Sequence, residues 1–143
     1  MTRNIAIDPG FGGFKSAEAT QTITVTNLPA VVGVGETDIG LLSTGLKRRR
    51  SKQPLTVSFD GVSYLVGDNV HLYARPVERL DFLRLSDGPE LRALVYAALW
   101  SIIDGGDHVV NLMVGLPVEV LQDRTTGLAT LNALRAWLNG EHR

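Results

Sequence analysis

The sequence has no cysteine, so a disulfide framework, a thiolate nucleophile and a cysteine-ligated metal site are all excluded, which is consistent with a reducing compartment. Its three histidines, His71, His108 and His142, are scattered and share no ligand spacing. A zinc site or a catalytic triad has nothing to stand on, and all three read as surface or turn residues. No long hydrophobic run is present. The most apolar uncharged stretch, Ala93 to Ile103, falls far below the roughly 20 apolar residues that a membrane helix needs. The start, Met1-Thr2-Arg3-Asn4 followed by a short strand-like run, lacks the apolar core and cleavage site of a secretory signal. Charge of one sign is also lacking: a formal net charge of −1 gives no global field for nucleic acid or an anionic membrane. The expectation is a soluble, cytoplasmic protein with no membrane partner, reaching nucleic acid only indirectly.

What is present suffices for one core: 143 residues with 44% apolar content match the single-domain range of roughly 100–200 residues. The first thirty residues are dense in β-branched side chains and punctuated by glycine, and predict strands over Asn4–Asp8, Gly13–Ala19 and Thr22–Leu28. In the third, Ile23 and Val25 alternate with threonines, as in a half-buried strand with one wet face. Periodicity then vanishes from Pro29 to Pro54, a glycine-rich stretch that reads as an insertion. Thr56–Phe59 and Val62–Val66 flank Asp60-Gly61, the preferred two-residue hairpin turn. A helix is expected from about Asp87 to Asp104, with Asp87 as cap, Pro89 in the first turn, Glu90 completing a capping box, one broad apolar face, and Gly105-Gly106 as the stop. Val109–Leu116, nearly all apolar and ended by Pro117, predicts a central strand buried on both faces. A last helix is expected over Leu128–Leu138. Trp100 and Trp137 read as packing groups, and Asp104, Asp107, Glu119 and Asp123 as caps and turn residues rather than acids and bases.

The sharpest chemical signal is Ile5-Ala6-Ile7-Asp8-Pro9-Gly10-Phe11-Gly12-Gly13-Phe14-Lys15, a DxGxGxxK pattern. Glycines permit positive φ and leave the backbone bare, so that consecutive N–H groups can face an anion as a nest. Asp8 at the strand end is placed to hold Mg²⁺, through waters because that ion dehydrates reluctantly, and Lys15 to set its ammonium against β- and γ-phosphates. The competing reading is a plain hairpin turn, with Asp8 as a turn-forming side chain. The apolar first strand and the terminal lysine favour the phosphate cradle. Neither a Walker loop nor a Rossmann fingerprint fits, since both need a helix directly after the glycines. Lys47, Arg48, Arg49, Arg50 and Lys52 form the only basic cluster. With no interleaved aromatics to stack on bases, it reads as a solvated loop tip.

These segments resemble the actin-like members of the actin, Hsp70 and sugar-kinase superfamily. Asp8, Gly10, Gly12 and Lys15 match the spacing of the family's first phosphate loop. Leu28-Pro29-Ala30-Val31-Val32-Gly33 and Tyr64-Leu65-Val66-Gly67-Asp68 look like the segments after strand three and after the small-subdomain hairpin. Met113-Val114-Gly115-Leu116-Pro117 resembles the strand ending in "GLP" of plasmid-segregation and archaeal actin-like proteins. The resemblance implies an α/β, RNase H-like N-terminal half of an actin-like ATPase domain: a mixed sheet flanked by helices, about residues 1–28 and 67–143, with a small β-rich subdomain inserted over about residues 29–66. It implies ATP and Mg as ligands, with Asp8, Gly10, Phe11, Gly12, Gly13 and Lys15 binding the nucleotide, Asp8 nearest the metal, and self-association through the inserted subdomain. The second phosphate loop, the residue that positions the attacking water and the adenosine loop of complete members do not follow here. No catalytic residue is therefore assigned, little or no ATPase activity is expected of this chain alone, and truncation from a longer protein is expected over a natural fragment. A sugar- or acetate-kinase-like enzyme of the same superfamily, or a stand-alone interaction module without nucleotide binding, are the other readings left open.

Overall fold

The computed structural model describes residues 2–35, 52–103 and 105–142. The run Lys47–Arg50, Asp104, Gly40 and Gly45 lie outside the described residues. Strands β1 (Thr2–Pro9), β2 (Gly13–Ala19) and β3 (Ile23–Pro29) form an antiparallel meander. The sheet is completed by β7 (Val109–Val114), which pairs parallel to β1, giving the order β3-β2-β1-β7. A parallel neighbour requires a long crossover, and everything between β3 and β7 serves as that crossover. It includes a second sheet, β4 (Val32–Val34), β5 (Leu55–Phe59) and β6 (Val62–Val66), in the order β4-β6-β5. Asp60 and Gly61 both take positive φ, 50° and 75°, which is what the Asp-Gly turn joining β5 to β6 demands.

Helix α1 (Pro89–Trp100) lies between the two sheets. One side reaches β2, where the Ser16 hydroxyl donates to the Ala98 carbonyl at 3.3 Å, and another reaches the β5–β6 hairpin. This position explains why Leu91, Ala93, Leu94, Val95, Ala97 and Ala98 are all buried: the helix is apolar nearly all round, rather than along one broad face, because it is covered from both sides. Its ends also differ from expectation. Gly88 occupies the cap position without a side-chain bond, because Asp87 is turned to Arg84 at 3.5 Å instead. The helix stops at Trp100, short of Gly105, and Ser101 turns its hydroxyl back to the Ala98 carbonyl at 2.7 Å. Trp100 is largely exposed, whereas Trp137 meets Tyr96 edge-on at 5.7 Å and lies under Arg92.

The sheet supplies the facing that the alternation in β3 leaves open: Thr24 and Thr26 share the register of Glu18 and Ser16 on the helix side. Ile23 and Val25 are 75% and 64% exposed on the opposite face. Among the described residues β7 has one neighbour, β1, and its side chains alternate between exposed and half-buried. It is an edge strand rather than a central one, with Met113 72% exposed. The chain then forms the short α2 (Val118–Leu121) and the longer α3 (Arg124–Leu138). The start of α3 is fixed by Asp123, whose carboxylate accepts from the Thr126 N–H at 2.7 Å; the Thr126 hydroxyl first, and then this N-cap bond, pull its pKa down. Thr125 and Thr126 in the first turn carry no apolar periodicity, so the pattern alone revealed the helix only from Leu128.

Candidate functional site

β1 and β7 run parallel, and open parallel edges collect ligands at the carboxyl ends of their strands. The carboxyl end of β1 carries Asp8. From there the chain turns through Gly10-Phe11-Gly12-Gly13 into β2, closed by a reciprocal pair of bonds, Gly10 N–H to Gly13 O at 3.1 Å and Gly13 N–H to Gly10 O at 3.2 Å. That pairing leaves Phe11 and Gly12 as the two residues at the tip. Among the described residues their N–H groups have no hydrogen-bond partner, so two backbone donors stand bare at the end of the hairpin. Asp8 lies directly across the ladder from Lys15, both on the uncovered face and both exposed.

The glycines work differently from expectation. None of Gly10, Gly12 and Gly13 has the left-handed φ that glycine favours. Two of them are needed for space: a Cβ on Gly13 would lie 2.5 Å from Asn27 Oδ1 and 3.0 Å from the Leu28 carbonyl, and one on Gly10 would lie 3.0 Å from the Gly13 carbonyl. Gly12 has nothing within 4 Å, so a Cβ there would stand in open space.

Two residues complete the site that reading the chain alone did not assign. Gly115 extends the β1–β7 ladder by donating to the Ile7 carbonyl at 2.8 Å. A Cβ there would sit 3.2 Å from Asp8 Oδ1, so this glycine gives the carboxylate its room. Phe82, in a short 3-10 turn (Phe82–Arg84) before α1, places its ring against Phe11 and Phe14 at centroid distances of 4.5 and 6.2 Å. The glycine between an apolar strand and Pro117 was visible in sequence, but only the strand pairing shows which carboxylate it serves.

The site lies on an exposed ledge, with Asp8, Phe11 and Lys15 all open to solvent. Two concavities on the described residues, of about 140 Å³ beside Asp81 and Arg84 and about 220 Å³ between β7 and α3, include no residue of the hairpin. A carboxylate, an ammonium and two free N–H donors on one open surface form a donor set that fits a magnesium-bound polyphosphate: hard oxygen for the cation, positive groups for the anion.

A mixed sheet with this crossover and hairpin is the actin-like α/β fold, and solved structures agree. The apo psk41 parM protein superposes with a TM-score of 0.63 at 14% identity, over 93% of this chain and 41% of that one. Ta0583, an archaeal actin homolog, gives 0.62 at 21% identity, over 97% and 38%. AlfA from a B. subtilis plasmid, solved as a filament, gives 0.54 at 18% identity, over 90% and 46%. The chain thus spans less than half the length of each. No curated protein sequence matches it. The family model for the N-terminal domain of actin-like proteins matches residues 6–143, and the chain belongs to that family.

Proposed function

We propose that this chain is the phosphate-loop half of an actin-like ATP-binding protein that assembles into filaments, of the kind that segregates plasmid DNA. The observation that carries the reading is the group at the tip of the β1–β2 hairpin: Asp8 opposite Lys15, the bare N–H groups of Phe11 and Gly12, and Gly115 against the carboxylate. Asp8 would hold Mg²⁺ through its waters, Lys15 would meet the phosphates, and Gly10, Phe11, Gly12 and Gly13 would supply the backbone cradle. Bound Mg²⁺ neutralises phosphate charge; this chain's residues bind and orient. Phosphoryl transfer needs charge clamped from several sides and a water held in line. One hairpin offers one side, so little or no hydrolysis is expected of this chain alone.

Self-association is proposed through the inserted sheet, whose Val34 and Val62 are 49% and 38% exposed. Relatives solved as filaments, AlfA and a ParM from Clostridium botulinum, support the reading. No helix among the described residues is long and apolar enough to cross a membrane, and a cytoplasmic location is proposed. The deciding experiment is thermal stability with and without Mg-ATP, on this chain and on the longest reading frame that contains it. A shift in either supports the proposal, and no shift in both at millimolar nucleotide overturns it.

A further inference from the structure

The glycine hairpin is held by only two hydrogen bonds of its own, the reciprocal Gly10–Gly13 pair, and a site that binds through bare backbone needs that backbone fixed before the ligand arrives. The support comes from a distant part of the chain. Phe82 is 5% exposed although it sits in a turn between exposed Asp81 and exposed Leu83. Its ring is covered by Phe11, which lies at the tip of the hairpin and is itself 75% exposed, and by fully buried Phe14 just past the hairpin. Phe82 therefore bridges the exposed tip and the buried core, with ring separations in the range where aromatic pairs attract.

The turn that presents Phe82 is itself fixed at both ends. The Asp81 carboxylate accepts from the Leu83 N–H at 3.1 Å, Leu85 is fully buried at the other end, and Gly88 N–H closes on the Arg84 carbonyl at 2.6 Å. Upstream, Val77 N–H bonds the Val32 carbonyl of β4 at 2.7 Å. The segment is tethered to the inserted sheet at one end and to α1 at the other.

We infer that Phe82 is a positioning residue for the glycine hairpin: it acts through Phe11 and Phe14 to hold the Gly10–Gly13 backbone in its phosphate-ready form, without touching the ligand. The inference rests on the phosphate-loop reading for its functional part only. Its structural part is tested without nucleotide, by hydrogen exchange at the Gly10 and Gly13 amides, with Ile7 and Leu94 as core references. In Phe82→Leu the two glycine amides are expected to exchange at least ~tenfold faster relative to the references, a local opening rather than global unfolding. Phe11→Ala, which cuts the same contact from the exposed side and leaves the core intact, is expected to do the same. Phe82→Tyr keeps the ring and behaves as wild type, while Leu91→Ala weakens the core and speeds the core references without speeding the glycines. Unchanged glycine exchange in both Phe82→Leu and Phe11→Ala overturns the inference. Mg-ATP titration on the same variants reads the functional part: affinity falls about tenfold in Phe82→Leu and is kept in Phe82→Tyr. A loosened hairpin with unaltered affinity overturns the positioning role. Wild-type protein that binds no Mg-ATP, with exchange responding as stated, sinks the phosphate reading while the support of the hairpin by Phe82 stands.

Discussion

Asp8 and Lys15 are cross-strand partners in the β1–β2 ladder, yet among the described residues no ion pair joins them. Opposite charges on directly opposed positions of an exposed face ordinarily gain a little by closing on each other. Here each is left available to a third charged group, and a magnesium-bound phosphate offers both signs. Lys15→Ala is accordingly expected to abolish stabilisation by Mg-ATP, which at a hundredfold excess over Kd amounts to about 2.7 kcal/mol, while leaving the unliganded melting temperature unchanged. Differential scanning calorimetry with and without nucleotide measures both. A ligand shift that survives in the variant would remove Lys15 from the site.

Gly12 and Gly13 separate the structural from the ligand-facing use of glycine. Gly13→Ala sets a Cβ 2.5 Å from Asn27 Oδ1, which can swing aside, and 3.0 Å from the Leu28 carbonyl, which cannot, an overpacking expected to cost about 1 kcal/mol. Gly12→Ala meets nothing within 4 Å and is expected to fold with wild-type stability, yet to bind Mg-ATP more weakly because a methyl group stands where phosphate approaches. Chemical denaturation together with nucleotide titration reads the pair. If Gly12→Ala is silent in both, the hairpin is only a turn.

Glu18 sits on the buried side of β2, with Arg3 Nε and Nη2 donating to its two carboxylate oxygens at 2.6 Å each, and Arg3 also donating to the Ile102 carbonyl at 2.9 Å. These hydrogen bonds hold the Glu18 carboxyl below its usual range; burial opposes them, and the charges of Arg3 and His108 assist. A carboxylate whose folded pKa is depressed adds stability that is fully present above its unfolded value, roughly pH 4.3, and is lost as pH falls through the folded value. Urea midpoints measured from pH 7 to pH 3 are expected to fall more steeply for wild type than for Glu18→Gln, which starts lower and flattens. Parallel curves would mean that the pair carries none of the acid sensitivity.

The two faces of the large sheet differ in what they tolerate. Leu94→Ala opens a cavity between α1 and the sheets, where Leu94 is fully buried, and is expected to cost about 2–5 kcal/mol. Ile23→Thr and Val25→Thr, on the exposed face, are each expected to stay within about 0.5 kcal/mol of wild type. Equilibrium unfolding distinguishes this facing from the opposite one, in which the β3 substitutions would be the costly ones.

Local signals were readable where local physics decides. The bounds of β2 and β6 and the Asp60-Gly61 turn follow from glycine placement and β-branched runs. The bounds of α1 do not, because Asp87 offers its carboxylate to Arg84, a choice set by the preceding turn. The alternation in β3 is legible but its facing is not, because the register that sets Phe14 opposite Leu28 points Ile23 and Val25 away from the helix. At the site, the residue types Asp8, Gly10, Gly12, Gly13 and Lys15 were legible as a pattern. The roles of Gly115 and Phe82 depend on contacts that span most of the chain, and one sequence does not display these.

The pairing of β1 has a consequence for the order in which the site is built. Ile5 faces Glu18 on one side and Leu112 on the other, a near neighbour along the chain and a very distant one. Closing a short hairpin takes microseconds, whereas non-local strand pairing waits on a much larger loss of chain entropy. Asp8 and Lys15 are thus brought opposite each other early, by the meander alone, and Gly115 docks beside them only when the crossover has closed. A nascent chain still emerging during synthesis would carry both charges long before the rest of its ledge exists.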